Sequence, residues 1–182
     1  MTAIGRFPVS YRRGATGEGH MRLALIFAVV CIAAGCGSEN PGTSRTDEAE
    51  IDALYADYRV AVENADISAY VGALHPAVRL LPPGADAIVG ANRYAGFLRP
   101  VFEAATYRID VVTMPVIEVF GDVAVAEYEY VIHLDLKDPE VGVAEPGALT
   151  ASRTRSRYFD VLRKREDGKW GIWRHTWTTL EE

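Results

Sequence analysis

Apolar residues along this chain follow three successive patterns. Residues 23–34 (LALIFAVVCIAA) form one unbroken apolar run. From Ile51 the spacing turns helical: Ile51, Leu54, Tyr55, Tyr58 and Val62 recur at three- and four-residue steps and share one helix face. Thr46 and Asp47 stand where that helix would be capped, and Asp47, Glu48 and Glu50 suit the positive end of its dipole. Glu63-Asn64-Ala65-Asp66 breaks the stripe, and Asp66 is placed to cap a short second helix, Ile67 to Leu74, ended by His75-Pro76. A short strand over 77–81 stops at Pro82-Pro83-Gly84. Gly90 then leads into a third helix, Ala91 to Ala104, with Tyr94, Phe97, Leu98, Val101 and Phe102 on its apolar face and Pro100 expected to kink or divide it. Strands dominate afterwards: 107–119, where Pro115 marks an edge or a bulge, then 123–136 after a turn at Phe120-Gly121-Asp122, then 150–165. Glu166-Asp167-Gly168 is a tight hairpin turn into a last strand over 169–179. The acidic loop 137–149 suits either a lid or a plain long connection. Helices first and antiparallel strands after them give an α+β class: N-terminal helices packed in a curved, mainly antiparallel sheet, a cone-like α+β barrel whose open end holds a pocket.

The early apolar run is too short to span a bilayer, which takes roughly 20 residues. Arg22 precedes it and Ala33-Ala34-Gly35-Cys36 ends it, which is the layout of an export signal over 1–36. Residues 1–20 show no periodicity, and Met21 is the natural start. The Ala-Ala-Gly-Cys ending resembles a bacterial lipobox. That resemblance implies lipidation of Cys36, and so a membrane-anchored lipoprotein of the bacterial cell envelope, on its periplasmic or outer surface. Residues 37–46 (GSENPGTSRT) have the composition of a tether, leaving 47–182 as the folded domain.

Charge and cysteine usage narrow the functional classes. The whole chain carries a formal charge of −6, and the part after Cys36, with 15 basic and 24 acidic side chains, carries −9. Nucleic acid and anionic lipid surfaces call for a basic footprint instead, so membrane attachment would be covalent. Both cysteines, Cys31 and Cys36, fall in the signal. The domain therefore has no disulfide, no cysteine nucleophile and no thiolate metal site.

Several segments together resemble the nuclear transport factor 2-like superfamily. Tyr58 to Asp66 (YRVAVENAD) is similar to its first-helix ending, Y-x-x-A-x-x-x-G-D. Leu80-Leu-Pro-Pro-Gly followed by Ile88-Val-Gly-Ala resembles its first strand and the approach to its third helix. Phe120-Gly-Asp-Val-Ala-Val-Ala and the stretch from Tyr158 to Arg174 resemble its closing strand-turn-strand unit. The likeness covers about residues 48–178. Ketosteroid isomerases, SnoaL-type polyketide cyclases, dehydratases and members without a known reaction share this fold, so the fold alone does not choose an activity.

The resemblance implies a site. Tyr58 falls where the isomerase branch has an oxyanion-binding tyrosine, and Asp160 where it has a second oxyanion donor, a carboxylic acid. The branch's general base would lie at the position of Leu81, which carries no proton. His175 is the remaining candidate proton carrier, which makes the catalytic set Tyr58, Asp160 and His175. A ligand pocket is expected from Tyr58, Leu81, Phe97, Tyr128, Tyr158 and Trp177, taking a small apolar molecule. Strand alternation puts Trp173, His175 and Trp177 on one face. Arg153, Arg155 and Arg157 share another, where they can pair with Glu127 and Glu129 or form an anionic-ligand or dimer stripe. No cofactor is implied, and His133, His175 and Asp160 have no recognisable metal-ligand spacing. Two readings stay open: a lipid-anchored module that binds a hydrophobic molecule or forms a homodimer, and an isomerase, cyclase or dehydratase acting on a small carbonyl compound by general acid–base catalysis.

Overall fold

Helical spacing at Ile51, Tyr55, Tyr58 and Val62 is realised in α1 (Pro41–Glu63), and all four side chains are buried. The computed structural model describes residues 41–143 and 146–180; the signal segment 1–36 with Cys36, and residues 37–40 of the expected tether, lie outside the described residues. Residues 41–46, expected in the tether, are already helical. After α1 come α2 (Ile67–Gly72), β1 (Leu74–Leu81), β2 (Ile88–Val89) and α3 (Ala91–Ala104). Four long strands follow: β3 (Ala105–Phe120), β4 (Val123–Leu136), β5 (Arg153–Lys164) and β6 (Trp170–Thr179). Pro100 lies inside α3 without dividing it.

The strands form one mixed sheet in the order β2-β1-β6-β5-β4-β3, antiparallel except for the parallel pair β1–β6. The sheet curves around the helices, and its concave side carries Tyr128, Tyr130, Tyr158, Leu162 and Ile172 into the core. Burying each large side chain of this kind contributes on the order of 1.5–3 kcal/mol. Pro115 sits where its missing N–H costs least, on edge strand β3 and inside a break in register between Thr113 and Val116.

Local chemistry moved some boundaries. Asp66 caps α2 as expected, accepting from the Ala69 N–H at 2.9 Å. The helix stops at Gly72, however, and β1 begins at Leu74, with Pro76 inside the register break between Leu74 and Arg79. The pairing starts there because Gly171 has no side chain: a Cβ on it would lie 2.8 Å from the His75 backbone nitrogen. Asp47 is no cap. It is buried within α1, 2.8 Å from Lys164 Nζ, and accepts from Trp170 Nε1 at 3.0 Å, which fastens the helix to the ends of β5 and β6. On the convex face, Glu129 accepts from both Arg155 and Arg157 at 2.7 Å. Glu127 instead stands in register with Phe159.

Trp173 departs from strict alternation. Val161 pairs with Arg174 but Leu162 pairs with Ile172, so Trp173 is the extra residue of a β-bulge. Its ring lies against the Arg163 and Arg174 guanidiniums, away from the buried face that His175 joins.

Candidate functional site

Asp160 is the polar centre of the core. It is fully buried, and its carboxylate gathers three partners from three elements. Oδ2 accepts from the Tyr55 hydroxyl on α1 at 2.8 Å and from the Tyr128 hydroxyl on β4 at 2.9 Å. Oδ1 lies 2.7 Å from His175 Nδ1 on β6. Donors converging this way are what permit a carboxylate in an apolar interior. With two hydroxyls donating to one oxygen, donation by Nδ1–H to the other completes the shell. That bond fixes the tautomer of the neutral ring and leaves Nε2 as its acceptor.

His175 is buried beside the rings of Tyr58, Tyr158 and Trp177, with centroids 6.5, 5.7 and 5.4 Å away. It lines a cavity of about 90 Å³ between the concave sheet face, α1 and α3. Tyr58, Phe97, Tyr158 and Trp177 line the same cavity, as the sequence predicts. Two expected wall residues do not. Leu81 is 40% exposed, because the inward position at this point of β1 belongs to Leu80, which pairs with His175 across the parallel ladder. Tyr128 stacks on Tyr158 at 4.9 Å and gives its hydroxyl to Asp160, behind the wall. Asp160 is behind the wall too. Of its three partners, only His175 lines the cavity.

Tyr58 does not reach Asp160. Its hydroxyl is 2.9 Å from that of Tyr70, which is 2.8 Å from that of Tyr94. All three residues line the cavity. Three hydroxyl protons serve two hydrogen bonds, so one O–H is left over. Burial above all pushes the ionisation of Tyr58, Tyr70 and Tyr94 upward. The chain is therefore a set of neutral donors rather than a base. Tyr55 and Tyr94 were legible in sequence only as apolar-stripe residues, since nothing in a stripe says where a hydroxyl will point, and Tyr70 in the short second helix gave no signal.

The segment 147–149 covers one side of the cavity. Gly147 has φ +86°, and a Cβ there would lie 3.0 to 3.1 Å from the Pro82 and Ala85 side chains, so this loop is seated on the 82–85 turn. His133 is elsewhere. It meets Asp110 at 2.7 Å on the convex face, opposite His175, so the two histidines cannot share an ion. Chemically the cavity offers an acceptor nitrogen held by a carboxylate beside a phenolic O–H of the tyrosine chain, inside apolar walls. That pair can take a proton from carbon while holding the oxygen that gathers the charge.

Comparison with known proteins agrees with this architecture. Residues 44–173 match the SnoaL-like domain model. A nuclear transport factor 2-like superfamily protein from Salmonella enterica serovar Typhimurium is similar in structure, with a TM-score of 0.62 at 20% identity, over 76% of this chain and 94% of that one. A ketosteroid isomerase-like protein from Erwinia carotovora atroseptica is similar with a TM-score of 0.59 at 23% identity, over 74% and 96% of the two chains. A Mycobacterium tuberculosis protein of unknown function gives 0.60 at 20% identity, over 76% and 79%. No match is found among the curated proteins. At these identities the solved structures speak for the fold alone.

Proposed function

The chain belongs to the SnoaL-like domain family of the nuclear transport factor 2-like superfamily, and on that premise we propose that it is a general acid–base enzyme of the isomerase, cyclase or dehydratase type acting on a small carbonyl compound. One observation carries the reading: His175 is turned inward onto a cavity, with Nδ1 held by a buried Asp160. Nε2 takes a proton from the carbon next to the carbonyl, and the spare tyrosine O–H holds the oxygen as it gains charge. The imidazolium, stabilised by Asp160, then returns the proton to a second carbon or to a departing hydroxyl. A positioned base of this kind contributes about 10²- to 10⁴-fold.

The test follows deuterium uptake next to the carbonyl of hexan-2-one in D₂O by proton NMR. Catalysed uptake is expected from the parent protein and not from His175→Asn, whose amide can keep the bond to Asp160 but offers nothing at the Nε2 position. Equal uptake by both proteins contradicts the reading. A second reading, binding without turnover, is favoured by the apolar Leu80 beside His175, where no second proton carrier stands. It predicts hexan-2-one binding with no catalysed uptake.

The same proposal includes export and attachment to a bacterial envelope membrane through lipidated Cys36, supported by the composition of residues 21–36. Mass spectrometry of the mature N-terminus tests it, and an unmodified terminus rejects it. Pairing of two copies is part of the reading as well, supported by Val116, Phe120 and Phe159, which are exposed on the sheet. Light scattering on the purified protein measures it.

A further inference from the structure

Tyr107 lies outside the arrangement just described, yet it lines the same cavity from β3, with its ring 5.7 Å from that of Phe102. Its hydroxyl is buried and has no hydrogen-bond partner among the described residues. Native interiors leave few polar atoms in that condition, because the lost contact with water goes uncompensated. Tyr58, Tyr70 and Tyr94, which line the same cavity, each have a partner hydroxyl.

The polar groups of the wall follow an order. His175 neighbours Tyr58, hydroxyl contacts run from Tyr58 through Tyr70 to Tyr94, and Tyr107 is near enough to Tyr94 to add to the upward push on its ionisation. Burial raises Tyr107 itself to about 12, so it is a neutral donor and not a second base. At most two hydrogen-bond lengths separate the Tyr58 and Tyr94 oxygens, and two strands, β5 and β4, separate Tyr107 on β3 from His175 on β6.

We propose that Tyr107 is a second polar anchor of this cavity, and that the molecule bound there carries two oxygen functions several bonds apart. One is met by the tyrosine O–H near His175, and the other, a carbonyl, hydroxyl or ether oxygen, accepts from Tyr107. This rests on the acid–base reading for the first oxygen only. It adds the chemical class of the ligand: a small, mainly apolar dioxygenated molecule, for which a 1,4-diketone is the probe. Tyr107 touches the far end of that molecule and takes no part in proton transfer.

The experiment compares hexan-2-one with hexane-2,5-dione, matched in chain length, by ligand-observed NMR titration of the full chain. The parent protein is expected to bind the diketone about tenfold more tightly, the gain from one satisfied hydrogen bond. In Tyr107→Phe that preference falls to the roughly twofold that two equivalent carbonyls give by chance. Tyr107→Phe is also expected to melt no lower than the parent, because it removes a hydroxyl without a partner. A preference that survives in Tyr107→Phe, a parent with no preference, or a clear fall in Tm overturns the anchor. If both ketones bind equally and uptake still depends on His175, the anchor fails and the acid–base reading stands. If neither binds, both fail.

Discussion

Tyr55 and Asp160 stand 105 residues apart in the chain, yet the tyrosine hydroxyl donates a 2.8 Å hydrogen bond to Asp160 Oδ2 in the core. With Tyr128 it fixes one carboxylate oxygen so that the other meets His175. Asp160→Asn keeps the volume but replaces an acceptor with an NH₂ group that must face a donor. Deuterium uptake into hexan-2-one should fall by about 10²- to 10⁴-fold, and urea unfolding should show a loss of about 1–3 kcal/mol. Tyr55→Phe removes one of three bonds, costs about 1 kcal/mol, and should slow uptake only severalfold. An Asp160→Asn protein as active as the parent would show that the carboxylate does not position the base.

Ala65 ends α1 in the left-handed region, with φ 54°. The Ala65 N–H bonds to the Val62 carbonyl and the Asp66 N–H to the Ala61 carbonyl, the paired contacts of a Schellman motif, where glycine is the usual choice. An L side chain there costs roughly 1 kcal/mol. Ala65→Gly should therefore stabilise the domain by no more than about 0.5 kcal/mol after the added freedom of the unfolded chain is deducted. A lower urea midpoint would contradict the account of this turn.

Burial raises the ionisation of Tyr55, Tyr58, Tyr70, Tyr94, Tyr128 and Tyr158. A folded-state pKa above the unfolded value of about 10 gives stability that is complete below that pH and is lost as the pH climbs through the raised values. Alkaline titration should show phenolate absorbance from these residues rising together with loss of circular dichroism. Smooth ionisation of most tyrosines near pH 10 with the fold intact would contradict their burial.

Much of this was legible in the residues, and the exceptions have physical causes. Three- and four-residue spacing found the buried face of α1, including Tyr55 and Tyr58, because periodicity reports burial directly. It says nothing about hydroxyl direction, so the four-residue shell of Tyr55, Tyr128, Asp160 and His175 could not be seen. Alternation placed His175 and Trp177 together correctly but carried Trp173 with them, because a bulge adds one residue without a sequence mark. Counting from the Pro82-Pro83 stop put Leu81 in the pocket, one residue from the inward Leu80, and a one-residue slip turns a strand position over. Asp47 was read as a cap from its place near the start of the apolar stripe. Its true partners, Lys164 and Trp170, lie more than 100 residues away.

The most direct measurement of the site is the tautomer of His175, read from the ring nitrogen shifts of protein labelled with ¹⁵N-histidine. While the ring is neutral, the Asp160 bond predicts a protonated Nδ1 and a bare Nε2 facing the cavity. A proton on Nε2, or a ring exchanging freely between the two forms, would contradict the placement of this histidine as a base.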